Sequence, residues 1–158
     1  VKLFSIQNYP GQVKTMPGLS LDHLTLPAGG EISTYETEPG LLEFDPNSSE
    51  IIQKTFSTTV FRSLCPVTGQ PDLASVMINY KGRAIRPEGL LKYLVSYRCH
   101  KGFHEQCVEQ IYHDMRTVFQ PELLEVYACF TRRGGIDINP FRSSVREQPD
   151  EVIREMRQ

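Results

Sequence analysis

Two long runs of β-branched and aromatic residues, IIQKTFSTTVFRSL at 51–64 and LASVMINYKG at 73–82, constrain this chain more than any other feature. Their Thr, Val, Ile and Phe content, with no helix signal, predicts two long strands. The stretch between them, CPVTGQPD, holds two prolines and a glycine, so the strands are expected to fold back as a hairpin. That connection is long for a hairpin, and long connections are often functional. It opens on Cys65 and closes on Asp72. A plain turn has no need of a thiol at one end and a carboxylate at the other.

The remaining order follows from periodicity. RPEGLLKYLVSYRCH (86–100) predicts a helix, with Pro87 in its first turn and Leu90, Leu94 and Tyr97 on one face. After Gly102, FHEQCVEQIYHDMRTVF (103–119) predicts a second, with Val108, Ile111, Met115 and Phe119 as its apolar stripe and Pro121 beyond its end. ELLEVYACFTR (122–132) alternates as a strand, and GGIDINPF (134–141) supplies a turn and a short strand. The polar tail REQPDEVIREMRQ (146–158) is expected to end the chain as a helix. The order β-β-α-α-β-β implies an α+β fold, an antiparallel sheet with both helices on one face. Residues 1–48 are rich in Pro and Gly and have no core of their own. They are expected to be a lead-in from a preceding module, with VKLFSIQ as one strand, and residues 49–158 the catalytic module.

The length of 158 residues suits one domain with a real core. A net charge of −2 excludes a nucleic-acid duplex as the main partner, which calls for a basic face. No apolar run is long enough to cross a membrane as a helix, and no signal-peptide pattern is visible. The four cysteines, Cys65, Cys99, Cys107 and Cys129, are too few for a disulfide scaffold and fit thiols in a reducing cytoplasm. The start at Val1 is read as a processed product or a fragment.

Three groups could carry chemistry. Cys65, at a strand end, is placed to act as a nucleophile if it reaches the thiolate form, and Asp72 is placed to exchange a proton with it. A buried thiol beside a capping Asp is the plainer alternative. His104 and Glu105 open a helix, where unpaired N–H groups favour an anion and Glu105 could accept from a ligand's N–H donors. His104 could shuttle a proton near neutral pH. Arg132 and Arg133 before Gly134 and Gly135 could bind phosphate, although such runs are commonly exposed turns. Cys99, His100, His104 and Cys107 could be read as metal ligands. However, there is no Cys-x-x-Cys pair and Gly102 splits the set, so no metal is expected.

Taken together, CPVTGQPD, YLVSYRCHKGFHEQCVEQI and YACFTRRGGIDINPFRS closely resemble the 7-cyano-7-deazaguanine reductases, the nitrile reductases of queuosine biosynthesis. The resemblance runs from about Phe61 to Arg142. It implies the tunnelling fold, in which β-β-α-α-β-β units pair into barrels. It implies NADPH as hydride source and a small deazapurine nitrile as substrate, reduced to the amine in a tRNA-modification pathway. Cys65 would be the nucleophile forming a thioimide, Asp72 the proton-transfer residue, His104 a further proton or positioning group, and Glu105 the base-binding carboxylate. Arg132, Arg133 and Gly134 would contribute to phosphate binding.

One departure bears on the cofactor. Short members of that family carry a Glu-Ser-Lys-Ser-like NADPH motif at the first helix, where this chain has RPEGLLKY. The chain therefore resembles the C-terminal module of the longer, two-module members. An absent N-terminal module and a homo-oligomer are its expected partners, with cytoplasmic location and no nucleic acid or membrane. Cys107, a short step past Glu105, is placed to approach Cys65, where a reversible disulfide could protect the nucleophile. Two other readings stay open at this stage: a zinc-dependent hydrolase of the same fold, like the GTP cyclohydrolases, and a non-catalytic purine-binding module.

Overall fold

The structure is a computed structural model that describes residues 14–26, 32–33 and 35–158. The strand expected at VKLFSIQ lies outside the described residues. Five strands form one sheet in the order β1 (Leu19–Ser20), β2 (Ile51–Leu64), β3 (Pro71–Arg83), β4 (Leu123–Phe130) and β5 (Phe141–Ser143). From β2 to β5 every neighbouring pair is antiparallel, as the sequence predicts. β1 joins the outer edge of β2 in parallel, so the sheet is mixed. The helices α1 (Pro87–Ser96) and α2 (His104–Phe119) lie between β3 and β4 in the chain. Their apolar stripes pack on one sheet face against Phe56, Val76, Ile78, Leu124, Val126 and Phe130.

Local sequence explains the element ends. Pro87 occupies the first turn of α1, where its missing N–H leaves no bond unmade. α2 stops at Gln120, whose φ of 46° lies in the left-handed region, and Pro121 cannot continue it. Among the β3 and β4 residues, alternation is strict. Even-numbered side chains enter the helix-covered core, while Met77, Tyr127 and Cys129 face the other side.

The hairpin of β2 and β3 contains the feature that builds the site. Phe56 faces Ile78 and Thr58 faces Val76, but the next pair on that side is Phe61 with Ala74. One extra residue of β2 is taken up between Thr58 and Phe61, a β-bulge. Before the bulge the even residues of β2 point to the helices; beyond it the odd ones do, and Phe61 and Ser63 are buried there. Asp22 holds the bulge from the lead-in segment. Its carboxylate accepts from the Thr58 hydroxyl at 2.5 Å and from the Thr59 N–H and hydroxyl at 3.0 and 2.7 Å. Leu21 and Leu42 of the same segment are buried in the core.

The tail departs from expectation. Residues 146–158 form no helix; they run across the sheet face opposite α1 and α2. Burial there has a period of two, with Ile153 and Glu155 buried and the residues between and beyond more exposed. That pattern suits an extended chain and not a helix. The Glu155 carboxylate accepts from Met16 N–H at 2.8 Å and Ser75 hydroxyl at 3.1 Å, and such buried bonds outweigh the weak helix propensity of a short polar tail. No helix among the described residues is long and apolar enough to cross a membrane.

Candidate active site

β2 ends at Leu64, and residues 65–70 form a compact loop before β3. Cys65 N–H donates to Gln70 O at 2.8 Å and Gly69 N–H donates to Cys65 O at 2.9 Å, closing the loop on the cysteine. Gly69 takes φ +71°, a conformation that side chains resist. Pro71 opens β3 at the end of the ladder, where a missing N–H is tolerated. Asp72 thus stands on the strand itself, opposite Ser63, and not in the loop where the spacing alone would put it. Alternation along β3 puts Asp72 on the helix-facing side, and the bulge-shifted parity of β2 brings Ser63 there too; both are buried.

The segment between the helices completes the cluster. Leu64 N–H donates to His100 O at 2.8 Å, and Gly102 N–H donates back to Leu64 O at 3.1 Å. This strap lays residues 100–102 along the end of β2 and starts α2 beside Cys65. A Cβ on Gly102 would lie 2.8 Å from His100 Nε2 and 3.4 Å from Cys107 Sγ, so the His100 ring would have to move aside. The Gln106 side chain accepts from Phe103 N–H at 3.0 Å and caps α2.

His104 is buried and stacks flat on Phe130, with ring centroids 3.9 Å apart. Its Nε2 stands 3.2 Å from Asp72 Oδ2. The alignment is not that of a hydrogen bond, and neither ring nitrogen has a hydrogen-bond partner. A buried imidazole left open at both nitrogens suits proton exchange with a ligand better than a purely structural task. Arg133 donates to the other Asp72 oxygen, Oδ1. Glu105 is exposed in the first turn of α2, one residue past His104.

Cys65 is 3 % exposed. Its pKa is lowered to about 6, first by the Thr68 side chain and backbone, then by the Arg133 guanidinium and the Val67 backbone. At neutral pH it is therefore mostly thiolate, the nucleophilic form. Cys107 and Cys129 behave oppositely: burial pushes them up to about 11 and about 12. Both Cys65 and Cys107 are free of disulfide. The thiolate absorbance of the chain is expected to titrate near pH 6 at Cys65, and Thr68→Val should move that midpoint up by about one unit. A difference titration against Cys65→Ala reads it, and an unmoved midpoint would remove Thr68 from the site.

The arrangement brings Cys65, Asp72, His104 and Arg133 together. Arg132 faces elsewhere, forked onto Asp137 at 2.8 and 3.2 Å. Gly134 and Gly135, with φ of +56° and +80°, form the exposed turn beyond it, with open space beside each. Among the described residues no group of three or more His, Cys, Asp or Glu is disposed to hold a metal ion. Sequence reasoning missed Thr68 and Phe130. Thr68, three residues past the cysteine in a turn-forming loop, was open to recognition as a local hydroxyl donor. Phe130 carried no signal beyond its place in a strand.

Comparison with known proteins gives a consistent set of matches. Residues 71–149 match the family model described as QueF-like protein. The NADPH-dependent 7-cyano-7-deazaguanine reductase of Bordetella pertussis is 46% identical over 143 residues, covering 90% of this chain and 50% of that protein. The protein of the same name in Burkholderia mallei is 46% identical over 147 residues, covering 93% and 52%. The chain thus spans about half the length of the curated relatives it matches. Among solved structures, the archaeosine synthase QueF-Like in its apo form superposes with a TM-score of 0.53 at 18% identity, over 62% of this chain and 96% of that one. That likeness places the sheet and its two helices in the tunnelling fold.

Proposed function

The chain belongs to the QueF-like protein family, and on that premise we propose that it reduces the nitrile of 7-cyano-7-deazaguanine to the primary amine, with NADPH, through a covalent thioimide on Cys65. The observation that carries this reading is a thiol held near pKa 6 in a constrained loop beside the Asp72–His104 pair. The names of the relatives support the substrate and the cofactor.

Cys65 makes a poor electrophile into a better one. Its sulfur adds to the nitrile carbon; the C–S bond forms as one carbon–nitrogen π bond breaks, and that electron pair goes to nitrogen. The sulfur enters as thiolate, so the nitrogen takes up one proton, drawn from solvent and delivered through Asp72 and His104, and the thiolate's charge is discharged in the neutral thioimide. Glu105, in the first turn of α2 where unpaired N–H groups favour an anion, accepts from the ring N–H and exocyclic amino group of the guanine-like edge. Analogues without those donors would leave its charge unpaired.

NADPH, when bound, supplies the hydrides, two for each nitrile converted to an amine. The part of this chain assigned to one of its phosphates is the turn of Arg132, Arg133 and Gly134, where the backbone beside Gly134 is open; both guanidiniums already pair with carboxylates, Arg132 with Asp137 and Arg133 with Asp72. In this reading residues 49–158 are the catalytic module and 1–48 a lead-in from a companion module, in a cytoplasmic homo-oligomer acting on a small deazapurine. No nucleic acid or membrane takes part.

Intact-mass measurement after mixing the chain with 7-cyano-7-deazaguanine, without NADPH, tests the proposal. A stoichiometric adduct is expected, and none with Cys65→Ala. Binding by calorimetry without any adduct would replace it with a purine-binding module. Stoichiometric zinc with hydrolysis of a purine nucleotide would replace it with a metal-dependent hydrolase.

A further inference from the structure

Arg133 sits in the hairpin that follows β4. Its N–H and C=O pair with Ile136 at 3.1 and 3.0 Å, and Gly134 and Gly135 make the tight reversal between them. One residue before Arg132, Thr131 N–H donates to Leu73 O at 2.8 Å, which fixes the root of the hairpin next to Asp72. Successive side chains of an extended segment point to opposite sides. Arg132 accordingly turns to Asp137 on its own hairpin, and Arg133 turns to the interior.

There Arg133 meets two groups from two different elements. It donates to Asp72 on β3, which is buried, and its charge stands near enough to Cys65 at the end of β2 to favour the thiolate there. The other titratable or polar groups around this point are His104, Glu105 and Cys107 on α2 and Thr68 in the loop. Among these, Arg133 is the fixed cation. Two anions a short distance apart in a buried place would repel each other and favour protonation of one. A planar fork with several donors can serve both at once, which a single ammonium does poorly. Its side chain keeps 33% exposure and its Nε, buried, has no partner, so the group is packed from one side only.

We infer that Arg133 is a positioning residue for the covalent step: its guanidinium pairs with the Asp72 carboxylate beside the Cys65 sulfur and sets nucleophile and proton carrier around one cation. This assigns the guanidinium an inward task, separate from any phosphate held by the turn. For its effect on turnover the inference rests on the covalent reading above; its test needs no nitrile.

The test is a thiolate absorbance titration of Arg133→Gln and Arg133→Lys, each taken as a difference against the same chain with Cys65→Ala. Arg133→Gln should raise the Cys65 midpoint by about one pH unit, so that the ionised share at pH 7 falls from about nine tenths to about half. Thr68 retains the rest of the lowering. Arg133→Lys keeps the charge and should raise the midpoint by less. Should the Gln variant not fold, the Lys variant is read against the wild type in the same way. An unmoved midpoint in both, with only NADPH affinity lost, would overturn the inference and leave Arg133 to the cofactor. A raised midpoint in a chain that forms no nitrile adduct would uphold the inference while removing the proposed function.

Discussion

Asp72→Asn is expected to slow thioimide formation by about a thousandfold, while affinity for the nitrile stays within a few-fold. The replacement preserves shape and burial but removes the anion that Arg133 and His104 share. A carboxamide still offers Arg133 an oxygen, but it cannot carry a proton between sulfur and nitrogen. His104, already without a hydrogen-bond partner at either nitrogen, then loses its nearest charge. The time course of the mass adduct gives the rate, and calorimetry gives the affinity. Adduct formation at the wild-type rate would show that the proton reaches nitrogen by another path, with His104 the candidate. A loss of affinity equal to the loss of rate would mean that Asp72 holds the substrate and does not move its proton.

Phe61→Ala should be the most destabilising single change near the site. Phe61 is 1% exposed and lies at the bulge between Tyr97 and Phe130, with ring centroids 5.3 and 6.0 Å away. Truncation of a buried Phe costs about 3–5 kcal/mol, because the neighbours only partly fill the space. For a domain of this size, thermal unfolding should fall by on the order of 10 °C. The chemistry should suffer too, since Phe130 carries the His104 ring on its other side. Calorimetry of Phe61→Ala and Phe61→Leu, with Leu the milder, checks the packing term. A melting temperature within about 2 °C of wild type would mean that the bulge is not held by this ring.

Much of this architecture is legible in the chain because the hairpin strands carry strong local signals. The run predicted as the first long strand, IIQKTFSTTVFRSL, is β2 itself, and the helix ends fall where Pro87 and Pro121 put them. What escapes sequence reasoning is whatever depends on a partner distant in the chain. The bulge between Thr58 and Phe61 has no composition signature, because it is held by Asp22 from a turn-rich segment far upstream. Asp72 reads as a loop residue when counted from the prolines, yet the ladder extends to Pro71. The charged tail reads as a helix by composition, but buried bonds to Ser75 and Met16 draw it out. The arginine pair reads as one phosphate-seeking unit, and alternation sends its two members to different carboxylates. Cys65 and Asp72 are paired by the short connection between them, while His104 joins them only through the motif resemblance, because no spacing rule links a strand end to a helix start.

The strap between Leu64 and residues 100–102 changes how this site should respond to sequence variation. Main-chain atoms alone fasten the end of the cysteine-bearing strand to the start of the histidine-bearing helix. Peptide geometry is the same for nearly every residue type. The spacing between nucleophile and imidazole is therefore gauged by the backbone, like a jig that holds two tools whatever their handles are made of. Side chains on the outer faces of both helices can be exchanged freely without recalibrating it. At Gly102 an added side chain would press on the His100 ring and not on the main-chain bonds themselves.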